Sequence, residues 1–397
     1  MRSETSLGSP VGKVVYVTGA GFSRLAGVPL QEGLLPGVVG SKGFSGLDPL
    51  PGFLGSVFKT TPTPSLEDVF TLLDESIGRR RYCLGYSHEK LSEIRKVLKE
   101  QILHIIDDSL RRTGDNAWSF YRALGGYLLE MRMKAGKGVD PFSVVSLNWD
   151  CVLEDALFWC IRKANLLEKA DVDYCCYTTP LGKDSPHRPS ILQKALGRFN
   201  LKVMKLHGSA NWLLCPNCDR LYTGIGSTEF DWKRYQFPEA CPSCATVWNR
   251  SAHSGSGVVD KNSPQLEPFI IAPTFMKAFD NPHINMIWHN AYMDLAEASH
   301  VVFIGYSLPE ADYHVRTLLR RAVDPEAQIT VVLTHADEPK KYIPKYLGRY
   351  FAATRYRLFF GGGRVKVRLD GVEGYFRECM GGGSLTDRLR AVAAMGN

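Results

Sequence analysis

KVVYVTGAGFS, residues Lys13 to Ser23, is the stretch on which the reading of the chain turns. Val14 to Val17 is apolar and mostly β-branched, the composition of a parallel strand covered on both faces. The run stops at Gly19. Gly19 and Gly21 permit close backbone approach, Ser23 supplies a hydroxyl, and the turn is expected to open a helix whose free amides favour an anion. Gly19, Ala20, Gly21 and Ser23 are therefore candidates for holding a pyrophosphate. The third glycine of the usual dinucleotide fingerprint would fall at position 24, where Arg24 stands. The acidic residue that this fingerprint needs about 20 residues on is missing too, which disfavours an ordinary dehydrogenase.

Working outward, other strands also end in chemically useful residues. FSVVSL (Phe142 to Leu147) runs into Asn148-Trp149-Asp150, ahead of a stretch with helical spacing. At the carboxyl end of a strand an amide and a carboxylate can meet a ligand, or they can simply cap the next helix. Leu201 to Leu206 leads into His207, within KLHGSAN (Lys205 to Asn211), and Gly208 lets the chain turn. His207 is either an acid/base group at a strand end or a satisfied core or surface residue. HVVFIG (His300 to Gly305) continues into Tyr306-Ser307-Leu308-Pro309 and a helix carrying Asp312 and a basic face. QITVVLT (Gln328 to Thr334) carries His335 and Asp337 at its tip. Strands alternating with helices predict an α/β fold, a Rossmann-like parallel sheet with the ends at Gly19, Asn148 to Asp150, His207 to Gly208 and Gly305 to Ser307 along one edge.

Between those strands lie several insertions. Pro29 to Pro64 is rich in Gly, Pro and Ser and is expected to be a long irregular loop. Ser65 caps a helix, and Glu89–Leu110 and Ala117–Met133 have helical periodicity, which together give an inserted helical module. Residues 165–200 are mixed and polar and predict little. Cys215/Cys218 and Cys241/Cys244 form two CxxC pairs, suited to four thiolates around one structural zinc ion. The other cysteines, Cys83, Cys151, Cys160, Cys175, Cys176 and Cys379, lack ligand spacing and read as buried thiols. A Gly/Ser-rich link (Ser251 to Gly257) precedes PFIIAP (Pro268 to Pro273), a short strand, and helical periodicity over His283–Ala298. In the tail, FFGGGRVKVRLDG suggests a hairpin or edge strand, with closing helices after it.

At 397 residues the chain exceeds one ordinary core. The expected layout is a first part of the Rossmann-like domain at 1–208, with a helical insertion at about 28–140. A zinc-ribbon lobe at 209–257, the second part of the domain at 258–337 and a C-terminal extension at 338–397 follow. Hydrophobic residues at 44% and charged residues at 22% are ordinary for a globular protein. The polar start and the shortness of the first apolar run predict neither a secretory signal nor a membrane span, so a cytoplasmic location is the default. A net charge of +7 is modest, with clusters at Arg79–Arg81 and Arg316–Arg321 that read as solvated helix faces and leave a nucleic acid open as a partner.

Taken in order, GAGFS, LNWD (Leu147 to Asp150), KLHGS, the two CxxC pairs and GYSLPEAD (Gly305 to Asp312) resemble the sirtuin-like superfamily. The NWD and GYSLPEAD forms look most similar to bacterial sirtuin-like domains, many of them NAD-hydrolysing defence effectors. The resemblance implies NAD across the sheet edge, with pyrophosphate on Gly19, Ala20, Gly21 and Ser23, and with Gly305 and Ser307 toward the adenosine half. It implies His207 as general base, Asn148 orienting water or ribose, and Asp150 on the nicotinamide amide. Two deacylase features are missing: the Asp-Phe-Arg segment is replaced by GVPLQEGLLP, and the peptide-clasping Phe-Gly-Glu strand by PFIIAPTFMKAF. The expectation is an NAD glycohydrolase acting in defence, gated by a second copy or a regulatory protein. NAD-dependent lysine deacylation and non-catalytic sensing of NAD or ADP-ribose are the alternatives.

Overall fold

The computed structural model describes residues 12–40, 49–59, 64–181, 198–224, 240–244, 264–274, 281–334 and 351–396. Its strands are β1 (Lys13–Thr18), β2 (Phe142–Ser146), β3 (Ala170–Asp173), β4 (Thr178–Leu181), β5 (Phe199–Lys205) and β6 (Gly208–Leu214). They continue as β7 (Leu221–Gly224), β8 (Glu267–Ile270), β9 (Ala298–Ile304), β10 (Gln328–Val332) and β11 (Val365–Arg368). Seven form one sheet in the order β11-β10-β9-β1-β2-β5-β3, and every pairing in it is parallel. The predicted α/β sheet is therefore present, with the Lys13–Thr18 strand at its centre. Val15 and Val17 are wholly buried, as a strand between two helical layers requires.

Register assigns the layers. Tyr16 lies beside Val302, so Phe303, one residue further along β9, points to the opposite face. Tyr16 packs on Phe376 and Phe303 on Tyr356 and Phe360. The helices are α1 (Gln31–Val39), α2 (Leu50–Val57), α3 (Leu66–Gly78), α4 (His88–Arg111), α5 (Asp115–Lys134) and α6 (Val152–Lys163). After them come α7 (Pro282–Ala296), α8 (Tyr313–Ala322), α9 (Ala352–Phe360), α10 (Gly371–Met380) and α11 (Leu385–Gly396). Helix α5 packs against α6, α10 and α11, while α7 packs against α8 on the other side of the chain's core. No described helix is long and apolar enough to cross a membrane.

One expectation needs correction, and two stretches need a fuller account. The stretch 29–64 is not one irregular loop, because α1 and α2 lie inside it. Leu34, Leu35 and Val38 of α1, and Leu50 and Phe53 of α2, are buried, and that burial outweighs the Gly and Pro count. Pro51 costs little because it falls in the first turn of α2, where no amide is needed. The uninformative stretch 165–200 holds β3 and β4. ADVD is a poor strand by composition, but β3 is an edge, where Asp171 and Asp173 can bend back onto the amides of Val172 and Cys175. PFIIAP does supply a strand, yet β8 pairs antiparallel with β6 in a second sheet, β4-β7-β6-β8, and not with the main one.

The small sheet thus draws on residues on both sides of 209–257, and β11, beyond position 337, pairs with β10 as an edge strand of the main sheet. Cys83 and Cys379 are only partly buried, unlike Cys151, Cys160, Cys175 and Cys176. His335, Asp337 and the link at Ser251 to Gly257 lie outside the described residues.

Candidate functional site

Two turns interlock beyond the carboxyl ends of β1 and β9. The Gly19 amide donates to the Ile304 carbonyl (3.0 Å) and the Gly21 amide to the Gly305 carbonyl (2.8 Å). A Cβ on Gly21 would stand 2.7 Å from the Gly305 Cα. Gly305 has φ +61°, and a Cβ there would stand 2.2 Å from the Phe22 nitrogen, so neither turn tolerates a side chain. The close approach anticipated from the GAG spacing is real, and what approaches is the second turn of the same fold.

Beneath these turns Ser23 is fully buried. Its hydroxyl donates to Asp150 Oδ1 (2.9 Å) and accepts from Asn148 Nδ2 (3.1 Å). Asn148 Nδ2 also donates to the Gly19 carbonyl (2.9 Å). A carbonyl can only accept, so the amide orientation is fixed by its partners, and Oδ1 is the atom that Asn148 can offer to a ligand. Asp150 Oδ1 also takes the Val152 amide (3.1 Å), so Asp150 caps α6 and belongs to the cluster at once. From below, the ammonium of fully buried Lys205 donates to the Asp150 carbonyl and sits 2.9 Å from Glu154 Oε1. Burial works against that charge, but the Glu154 carboxylate holds the Lys205 proton affinity above its ordinary value.

His207 follows β5 in the turn to β6, and Gly208, at φ +72°, makes the turn. A Cβ on Gly208 would meet the Phe269 carbonyl oxygen at 2.3 Å. The ring is almost buried. Nδ1 lies 3.3 Å from the Leu147 carbonyl, so Nδ1 carries the hydrogen of the neutral ring and Nε2 the lone pair. Nε2 faces Asp312 Oδ1 at 3.9 Å, and Tyr306 donates its hydroxyl to Asp312 Oδ2 (3.1 Å). Burial, then the nearby Asp312 charge, pushes the Tyr306 phenol well above its usual value, so it stays a donor. A water, with two hydrogens to donate, can bridge Nε2 and Asp312 from beside the pair at the usual ~2.8 Å from each.

These groups open on one cavity of about 260 Å³. Gly19, Ala20, Gly21, Asn148, Asp150 and His207 line it, together with Gly305 and the exposed Ser307. Ser23 does not: it acts from behind the wall. Sequence reasoning missed Arg24 and Trp149 as lining residues, and left Asp312 without a role. It also missed Gly371 and Val372, which close the cavity from the C-terminal stretch. The only available signal for the last two was the edge strand before them, which carries α10 to the tip of β10.

The four candidate metal ligands do come together. The sulfurs of Cys215, Cys218, Cys241 and Cys244 lie within 4.8 Å of one another. Cys215–Cys244 and Cys218–Cys241 are each 3.7 Å apart. A tetrahedral zinc ion with bonds of about 2.3 Å needs its sulfurs about 3.8 Å apart, so the donor set and its spacing suit zinc. Asn217 Nδ2 points at the Cys244 sulfur (3.4 Å), and the Tyr222 hydroxyl is 3.3 Å from that of Cys241, the outer contacts that steady thiolate ligands. None of the four lines the cavity, and four protein ligands close a tetrahedral shell, which makes the centre structural.

No family model matches this chain. No curated protein matches it either. Among solved structures, a Sir2 homologue–NAD complex is 13% identical over 96% of this chain and 90% of that one, with a TM-score of 0.36. A mutant Sir2 homologue bound to ADP-ribose is 14% identical, over 96% and 91% of the two chains, with a TM-score of 0.34. A Sir2–p53 peptide–NAD+ complex is 14% identical, over 88% and 93%, with a TM-score of 0.33.

Proposed function

We propose that this chain hydrolyses NAD at the bond between nicotinamide and ribose. The observation that carries the reading is the meeting of Asn148, Asp150 and His207 in one cavity beyond the sheet edge, with the His207 Nε2 lone pair turned toward a carboxylate. Breaking the bond frees neutral nicotinamide and leaves positive charge on the ribose carbon. Asp150 and Asp312, both on the cavity wall, favour that charge. A water held by Asn148 Oδ1 attacks the carbon, its proton passes to His207 Nε2, and ADP-ribose is the second product. The resulting imidazolium is stabilised by Asp312, which Tyr306 keeps in place. Cleavage of this cofactor in bacterial defence is the setting that the motif resemblance supplies.

Hydrolysis is favoured over lysine deacylation by the hydrogen bonds of Ile271, beside the position of the missing peptide-clasping strand. Its amide donates to the His207 carbonyl (2.9 Å) and its carbonyl accepts from Trp149 Nε1 (3.3 Å). An extended peptide adding to the chain at this point finds both groups already used. Incubation with NAD alone, followed by chromatography, is expected to give equal amounts of nicotinamide and ADP-ribose. A strict need for an acetyl-lysine peptide, with O-acetyl-ADP-ribose as product, would overturn the hydrolase reading.

A further inference from the structure

A pyrophosphate brings two negative charges into this cavity, and six backbone amides in and beside its wall are already engaged within the protein. Turns rich in glycine usually meet phosphate with free amides. Here the amides of Gly19, Gly21 and Phe22 already donate to the carbonyls of Ile304, Gly305 and Gly19. Further round the wall, the amides of Gly305, Leu333 and Gly371 donate to Val332, Arg368 and Leu333. The seven-residue 3-10 helix at Ala20–Ala26 is too short to add a field of its own. The acidic side chains make matters worse, because Glu32, Asp150 and Asp312 all line the cavity.

Among the described lining residues, one side chain carries a permanent positive charge, that of Arg24. It is exposed, and it follows the buried Ser23 directly, so its backbone is anchored while its guanidinium is free to reach the cavity mouth. The Gly27 amide closes the turn on the Arg24 carbonyl (2.9 Å), with Gly27 at φ +80°, which holds the Arg24 backbone in the turn. We propose that Arg24 is the clamp for the pyrophosphate, pairing with its oxygens through two parallel N–H donors and supplying the charge compensation that the spent amides do not. This rests on the reading of the cavity as an NAD site. The residue that breaks the usual dinucleotide fingerprint thus takes over the task of the glycine turn.

The test compares two probes, ADP-ribose, which has the pyrophosphate, and nicotinamide riboside, which has no phosphate. Calorimetry on the full chain is expected to show Arg24→Ala and Arg24→Gln binding ADP-ribose about tenfold to a hundredfold more weakly, the range for a lost charge-assisted pair. Arg24→Lys should recover part of the loss. Nicotinamide riboside binding should stay the same in all three variants, and added salt should weaken ADP-ribose binding more in the wild type than in Arg24→Ala. Unchanged ADP-ribose affinity in Arg24→Ala, or equal loss for both probes, would overturn the clamp while leaving the NAD site intact. A wild type that binds neither probe would sink the NAD reading, and the clamp with it.

Discussion

Ser23 shows how a residue can govern the site without facing it. Its hydroxyl is shared by Asp150 and Asn148, so one oxygen sets the positions of two side chains that line the cavity. Ser23→Ala leaves a buried carboxylate oxygen and a buried amide N–H short of a partner, a cost of about 1–3 kcal/mol. The expected outcome is a lower melting temperature together with at least a tenfold slower release of nicotinamide, because Asn148 Oδ1 loses its aim. Wild-type rates in this variant would show that the cluster does not depend on the hydroxyl. The type and spacing of Ser23 were legible in the sequence, but its direction was not. A serine after GAG points to a ligand or to the protein depending on where the next strands end, and those strands are more than a hundred residues away. For Asp150 the two readings, helix cap and site residue, do not exclude each other: the oxygen that accepts from Ser23 also accepts the Val152 amide at the start of α6.

At the scale of elements, the cysteine lobe is the clearest case of local information being enough. Two CxxC turns each aim a pair of sulfurs at one centre, and no distant residue is needed to complete it. Purified protein is expected to carry about one zinc per chain by the four-ligand rule, released by a chelator once the chain is denatured. Cys218→Ser, at the exposed corner of the cluster, should lower the metal content and the melting temperature together. A metal-free wild type of full stability would remove zinc from the account. Elements whose stability comes from tertiary burial were harder to see. Helix α1 hides Pro36 and two glycines inside a segment held by Leu34, Leu35 and Val38, and β3 is a strand with two aspartates in four residues. In both, packing partners far along the chain outweigh local propensity.

Over the whole molecule, the alternation of buried strands and helices was enough to predict a parallel sheet, because KVVYVT, FSVVS and HVVFI can satisfy their apolar surface only between two layers. Strand order was out of reach. It places β1 between β2 (Phe142–Ser146) and β9 (Ala298–Ile304), strands far apart in the chain, and so brings the GAG, NWD and GYS turns to a common cavity. The C-terminal stretch, which looked like an appendage, extends the sheet through β11 and adds Gly371 and Val372 to the cavity wall. The central claim is that this convergence builds a catalyst for cleavage of the nicotinamide–ribose bond. Its most direct test is the rate of nicotinamide release from NAD by the wild type, Asn148→Ala and His207→Ala, with melting curves run in parallel. The account predicts release by the wild type and a loss of at least a hundredfold (about 2.7 kcal/mol in barrier) in both variants while each remains folded. Release at the wild-type rate by a folded His207→Ala would contradict it.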